Sequence, residues 1–229
     1  GVGIVISFAA WRLLPETLDE TKRQPAHVAT ILRHFGAMLR NRVFLGFTIA
    51  LCASFIGLFG YIAGAGYTYV EVFKVAENHV GWLILLAVAG YITGGFTGSR
   101  CQRRFGLERI VLTGMVLNVA GGMAMLICLV VGLHNMWAVA LPAAIVFAGC
   151  GAALPQATAG ALGPFPHVAG TASSLVGVLQ MMTGAAAAAS IGYAYDGSHG
   201  PMVIAMASGP LVGLVLYVWL IRPFKRRGA

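Results

Sequence analysis

The sequence predicts an all-α membrane protein, a bundle of six transmembrane helices preceded by part of another helix. Hydrophobic residues make up 59% of the 229 residues and charged residues 10%, whereas about a quarter of the residues of a soluble domain are charged. Residues 110–195 contain no Asp, Glu, Lys or Arg. At roughly 20 residues per bilayer crossing, this stretch alone supplies three membrane helices. The composition therefore excludes a soluble enzyme or a soluble binding module.

Six apolar runs divide the chain. They cover residues 43–69, 80–98, 110–133, 137–159, 170–195 and 202–221. The chain opens with a largely apolar stretch of eleven residues, which spans only about 16 Å as a helix, so residues 1–12 are predicted to be the inner end of a truncated helix. We expect residues 13–42 to form a cytoplasmic loop, 43–222 the six-helix bundle and 223–229 a cytoplasmic tail. This organisation predicts the C-terminal part of a longer protein.

The basic residues indicate the orientation of the bundle. Every Lys and Arg except Lys74 falls in residues 12–42, in the loop 99–109 or in residues 222–227, and these segments alternate with segments on the opposite side. By the positive-inside rule, the basic side is cytoplasmic, and so is the C-terminus. The net charge of +8 therefore reports topology, and no nucleic-acid partner is expected.

Residues 28–39 place apolar side chains at helical spacing. These are Val28, Ile31, Leu32, Phe35, Met38 and Leu39. The pattern predicts an amphipathic helix that lies either on the inner membrane surface or on neighbouring protein.

Small residues follow one face of the first complete span. That face comprises Ala50, Ser54, Gly57, Tyr61, Gly64 and Thr68, and the opposite side carries Phe55, Ile56, Phe59 and Ile62. Small residues allow membrane helices to approach closely, so the first set is predicted to pack and the second to face lipid. The same argument gives the candidates for helix packing or hinges: Gly57, Gly64, Gly66, Gly90, Gly94, Pro155, Gly177 and Gly184. Pro155, Pro164 and Pro166 are expected to break the fourth span.

The polar side chains embedded in the spans are neutral. The candidates for a substrate cavity are Ser54, Tyr61, Tyr91 and Gln180; for Tyr61 and Gln180 the alternative is helix packing, and Asn118 is expected to form an interhelical hydrogen bond. Glu71 and Lys74 are interpreted as a solvated pair. In the inner loop, Arg103, Arg104, Gly106 and Arg109 are topology signals with a possible second role in gating.

No catalytic or metal site is predicted. Ser173 and Ser174 have no histidine or acidic residue at matching depth, as an intramembrane hydrolase would require. None of the four cysteines falls on the predicted outer side or in a metal-binding spacing, so neither a disulfide framework nor a metal site is expected.

Four stretches carry a family resemblance. They are LPETL at 14–18, the segment from Gly57 to Leu83, RRFG at 103–106 with the residues to Arg109, and the segment from Ala153 to Gln180. With these motifs the chain resembles the C-terminal half of a major facilitator superfamily transporter, in the bicyclomycin and chloramphenicol–florfenicol resistance group of drug:proton antiporters. It departs from the group's pattern at Ala65-Gly66, Ala87, Gln156 and Arg103, so the group's substrate range is not carried over to this chain.

The resemblance implies the second half of a 12-helix fold in the bacterial inner membrane. Two six-helix bundles would rock about a midplane site, and the proton gradient would drive efflux of drugs or amphipathic small molecules without a cofactor. The coupling acids would belong to the N-terminal bundle, the partner of this chain in a monomer. Two alternatives stay open: uptake or exchange of a metabolite or organic ion, and a non-transporting six-helix protein.

Overall fold

The computed structural model describes Arg12 and residues 28–225, and it describes the surroundings of side chains for Arg12 and residues 31–221. Within these residues the chain forms seven α-helices and no strand. They are α1 (Val28–Arg40), α2 (Arg42–Tyr67), α3 (Glu77–Phe105), α4 (Leu107–Val130), α5 (Met136–Leu162), α6 (Ala169–Tyr193) and α7 (Gly200–Lys225). The predicted truncated helix up to residue 11, the LPETL motif and the last four residues lie outside the described part of the chain.

The six helices α2 to α7 are each long and apolar enough to cross a membrane. This finding confirms the predicted all-α membrane fold with six spans. Helix α1 forms where the amphipathic pattern predicts it, and its Met38 is fully buried whereas Leu39 is 44% exposed. Its placement on the membrane surface stays a prediction.

Helix α2 is the central helix of the compact unit that begins at His34, because it packs against α5, α6 and α7. The side-chain oxygen of Asn41 accepts hydrogen bonds from the backbone amides of Val43 and Phe44, at 2.9 and 3.0 Å, and so caps the first turn. After Tyr67 the helix widens into a π-helical turn, Thr68–Val72. The helix therefore runs through Ala65-Gly66 without interruption, and its geometry changes three residues later.

Two large residues of α2 do not face lipid as the sequence suggested. Ile56 lies against Gly209 of α7, and the ring of Phe59 lies against Gly184 of α6. Each glycine leaves space on the neighbouring helix that a large side chain fills, and this contact excludes lipid there. The expectation that Ile56 and Phe59 face lipid was therefore wrong.

Helices α3 and α5 touch through their backbones. Gly90 and Gly94 face the carbonyl oxygens of Ala144 and Ala148, and a Cβ at either glycine would overlap them. On α5, Gly151 faces the carbonyl of Tyr91 in return. Only glycine permits this approach, which buries backbone against backbone where hydrophobic burial gives no preference for protein over lipid.

Prolines interrupt the chain less than predicted. Helix α5 continues through Pro142 and Pro155 to Leu162, so the expected break at Pro155 was wrong. A proline in a membrane helix removes one backbone hydrogen bond, and tight neighbouring helices can accommodate the loss. The chain leaves the helix at Gly163-Pro164, and Pro166 begins a short 3-10 turn before α6.

Candidate functional site

Ser54 belongs to a buried polar network that joins three helices. The Asn118 side-chain amide of α4 donates a hydrogen bond to the Ser54 hydroxyl of α2 at 3.0 Å. The thiol of Cys150 on α5 donates to the Ser54 carbonyl at 3.4 Å and lies 3.6 Å from the Asn118 side-chain oxygen. The interhelical role expected of Asn118 is confirmed. The Ser54 hydroxyl is enclosed between helices, and its predicted contact with substrate stays untested.

Tyr61 points into the bundle as well. It is 2% exposed, and its hydroxyl lies 3.1 Å from the hydroxyl of Tyr69 in the π-helical turn. Its ring meets the ring of Phe147 on α5 edge to face, with 5.2 Å between centroids. Tyr61 thus connects the π-helical end of α2 with α5. This geometry favours helix packing over substrate contact for Tyr61.

An apolar stripe on α2 remains open. Phe55, Phe59, Ile62 and Gly66 follow one another at i, i+4, i+7 and i+11, which places them on one side of the helix. The rings of Phe55 and Phe59 stack with 5.4 Å between centroids. Ile62 is 61% exposed, and a Cβ at Gly66 would meet nothing within 4 Å. The stripe therefore offers aromatic and aliphatic surface that is only partly covered by the described chain.

A matching stripe on α6 carries two polar side chains, Ser173 and Gln180. Ser173, Gly177, Gln180 and Gly184 have the same spacing, and Gly177 faces open space. Gln180 is half-buried, and no residue in the described chain forms a hydrogen bond with its amide. Since the ring of Phe59 lies on Gly184, the two stripes are adjacent. We call this surface, formed by the two stripes, the α2–α6 face.

Tyr91 lies apart from this face, on α3. It is half-buried, and its hydroxyl has no hydrogen-bond partner within the part of the chain that the structure describes. Helix α5 packs against both α2 and α3, so it stands between Tyr91 and the α2–α6 face. Of the four cavity candidates, Ser54 and Tyr61 have internal partners, whereas Tyr91 and Gln180 keep polar groups available.

Two acidic side chains near the outer ends of the spans accept hydrogen bonds. The Tyr195 hydroxyl donates a hydrogen bond to the Glu71 carboxylate at 3.0 Å, and this bond raises the pKa of the tyrosine. Asp196 accepts hydrogen bonds from the Ser198 hydroxyl and backbone amide, which lower the pKa of Asp196. No ion pair between Glu71 and Lys74 is present in the described structure, so Tyr195 replaces Lys74 as the partner of Glu71.

His199 is buried at the start of α7. It is 3% exposed, its ring lies 5.1 Å from the ring of Phe73 and 5.5 Å from the ring of His134, and its Nδ1 has no partner among the described residues. Burial lowers the pKa of His199, and the neighbouring His134 lowers it further. The contact joins two connections that are distant in sequence, so local sequence pattern gives no sign of it.

At the opposite end, a tight turn joins α3 to α4. Gly106 adopts a positive φ of 82° there, a conformation that glycine reaches without strain. Arg103, Arg104 and Arg109 are exposed beside it, and the guanidinium of Arg104 lies 5.5 Å from the centre of the Phe105 ring. A gating role for these residues stays a prediction.

Comparison with known proteins gives three similarities along the chain. The chain is 25% identical over 228 residues to the bicyclomycin resistance protein homolog of Haemophilus influenzae, covering 99% of this chain and 57% of that protein. It is 29% identical over 178 residues to multidrug resistance protein D of Escherichia coli, covering 78% and 43%. It is 25% identical over 197 residues to the uncharacterized MFS-type transporter YdgK of Bacillus subtilis, covering 83% and 47%. No family model matches the chain.

These similarities confirm the resemblance predicted from the sequence. The chain is homologous to the C-terminal part of these proteins and spans about half the length of the curated relatives it matches. With six helices of membrane-spanning character, it is a multi-pass membrane protein.

Proposed function

We propose that this chain is the C-terminal bundle of a drug exporter in the bacterial inner membrane. Two of its relatives carry drug resistance in their names, and the similarity to the first covers 99% of the chain. In the complete protein, the α2–α6 face would form one wall of the central cavity, and an N-terminal six-helix bundle would form the other. The protein would act as a transporter and not as an enzyme.

The single observation that carries this proposal is the unpaired amide of Gln180 beside the stacked rings of Phe55 and Phe59. Small-molecule sites are mostly apolar, with a few polar groups that fix the orientation of the ligand. Aromatic rings can stack on planar compounds, while an amide both donates and accepts hydrogen bonds. The α2–α6 face therefore suits amphipathic molecules with an aromatic part.

The driving force would come from outside this bundle. Residues 110–195, which include most of α4, α5 and α6, contain no acidic or basic side chain, and intramembrane proton relays use ionisable groups. We therefore place the proton-coupling carboxylates in the N-terminal bundle. Rocking of the two bundles would expose the cavity to each side in turn. The positive-inside rule puts the α3–α4 turn and the carboxyl tail in the cytoplasm.

Antibiotic susceptibility of a pump-deficient host that expresses the intact protein tests the proposal. Expression should raise the inhibitory concentration of at least one amphipathic aromatic antibiotic and lower its accumulation. Gln180→Ala should change which compounds are exported, because the amide would fix the orientation of each ligand. Met182→Ala is the matched control, since Met182 lies on the opposite side of α6 and is 64% exposed.

Three results would contradict parts of this account. Unchanged susceptibility and accumulation would exclude export, and substrate-dependent uptake would favour the metabolite carrier instead. Equal effects of Gln180→Ala and Met182→Ala, at equal amounts of folded protein, would remove the α2–α6 face as the binding surface.

A further inference from the structure

Two grooves flank helix α4 near the α3–α4 turn. The first, between α3 and α4, has a volume of about 500 Å³. Its lining includes Thr97, Phe105, Arg109, Thr113 and Leu117. The second, between α4 and α7, has a volume of about 410 Å³, and it is lined by Arg109, Leu112, Val116 and Tyr217 among others. Each volume lies within the range of about 300–1,000 Å³ that small-molecule sites occupy.

Arg109 is common to both grooves. The buried face of α4 is centred on residues such as Asn118 and Val111. At about 100° per residue, Arg109 lies on the opposite side of the helix, with Thr113 turned toward the first groove and Leu112 toward the second. The guanidinium side chain thus sits on the ridge between two apolar channels.

The surroundings of Arg109 are positively charged. The loop from Arg100 to Arg109 carries four arginines and one acidic residue, Glu108, which lines the second groove. Arg104 lies over the ring of Phe105, a residue of the first groove, and Arg100 lies 4.5 Å from the centre of the Phe96 ring. Basic clusters at the cytoplasmic ends of membrane helices attract anionic lipid headgroups.

The rims of the grooves are apolar, so that hydrocarbon fits them better than water does. Leu112 and Val116 are 38% and 48% exposed on α4, and Phe105 at the end of α3 is 46% exposed. In the second groove, the Tyr217 hydroxyl is buried, so only the rest of its ring can contact a ligand there.

We propose that α4 binds one anionic diacyl phospholipid, with its phosphate on Arg109 and one acyl chain in each of the two grooves. Arginine binds phosphate through paired N–H donors, and the two channels on either side of one cation match a headgroup that carries two chains. The site goes beyond export, and it lies on the side of α4 away from the contact between Asn118 and Ser54 in α2.

The test uses the intact protein purified in detergent and mixed with phosphatidylglycerol or with phosphatidylcholine of the same chains. Native mass spectrometry counts the retained lipid, and thermal denaturation measures its stabilising effect. We expect retention of one phosphatidylglycerol and a higher melting temperature with that lipid alone. Arg109→Ala should weaken retention about tenfold, the factor expected for a lost hydrogen bond to a charged group.

Arg103→Ala is the matched control, since it removes the same charge from the same loop at a residue that lines neither groove. It should leave retention unchanged, and Arg109→Lys should keep most of it. Thr113→Trp and Val116→Trp fill the first and second groove, and each should lower retention while the loop keeps its charge. These two variants also decide the question if Arg109→Ala fails to fold.

Several outcomes would overturn the proposal. If Arg103→Ala and Arg109→Ala lowered lipid retention equally, the lipid would be attracted by the overall charge of the basic loop and not by Arg109. If inorganic phosphate raised the melting temperature as much as phosphatidylglycerol does, the site would bind the phosphate group alone and not the acyl chains. Unchanged retention in both tryptophan variants would exclude the grooves. None of these measurements involves transport, so their failure is distinguishable from failure of the export proposal.

Discussion

Asn118 of α4 donates a hydrogen bond to Ser54 of α2 at 3.0 Å, inside the bundle and away from the α2–α6 face. Both side chains are buried, at 1% and 0% exposure. Because there is no water in the lipid interior, the hydrogen bond gives both polar groups a partner inside the protein. Neighbouring Cys150 adds a weaker contact from α5. This arrangement assigns Asn118 to helix association.

Asn118→Ala should therefore lower stability by about 0.6 kcal/mol, the average for interhelical hydrogen bonds in a membrane protein, and by no more than about 1.7 kcal/mol, the maximum found there. The measurement is unfolding of the purified intact protein in mixed micelles. A double-mutant cycle with Ser54→Ala isolates the pair. Additive effects of the two substitutions would contradict the coupling, and a changed substrate profile would point to a role in the cavity.

Gly94 and Gly95 are neighbours with opposite tolerance for a side chain. A Cβ at Gly94 would overlap the Ala148 carbonyl, whereas a Cβ at Gly95 would lie 3.5 Å from the Gly151 carbonyl, an ordinary contact. Gly94→Ala should cost about 1–3 kcal/mol by forcing α3 away from α5, and Gly95→Ala should stay within about 0.5 kcal/mol. Thermal denaturation of the two variants compares them directly. Equal melting temperatures would show that α3 and α5 are not in backbone contact.

Because His199 is buried, we expect the folded protein to lose stability in acid. Burial and the nearby His134 lower its pKa in the folded state, while the unfolded state keeps the ordinary value of about 6.5. As the pH falls below that value, the unfolded state binds a proton that the folded state still refuses, so stability decreases until the lower folded pKa is reached. Melting temperatures between pH 8 and pH 5 should therefore fall less steeply for His199→Gln than for the wild type. The control is His79→Gln, which removes an exposed histidine, and a slope that His79→Gln changes as much would refute the assignment.

The sequence was sufficient for the six spans because lipid imposes a strong constraint on composition and length. The end of α5 was placed less well, since the neighbouring helices tolerate Pro155 inside the helix. Local pattern alone could not reveal that tolerance. The lipid-facing expectation for Phe59 failed for a related reason, because its partner Gly184 is distant in sequence.

The candidate site was predicted in part. Helical spacing put Ser173, Gly177 and Gln180 on one side of α6, and the sequence marked Gln180 as an embedded polar group. In the structure, Gln180 differs from Ser54 and Tyr61, because those two side chains have hydrogen-bond partners inside the bundle. The aromatic part of the face, Phe55 with Phe59, was missed, although their i, i+4 spacing could have indicated the stack.

Substrate protection of a cysteine at position 180 tests the central claim most directly. In the intact protein with the exposed Cys101 replaced by serine, Gln180→Cys and Met182→Cys would each be alkylated by a membrane-permeant maleimide. Labelling would be carried out with and without the compound whose export is changed by Gln180→Ala. If substrate binds at the α2–α6 face, this compound slows alkylation at position 180 and leaves position 182 unaffected. Equal rates at position 180 with and without the compound would contradict substrate binding at the α2–α6 face.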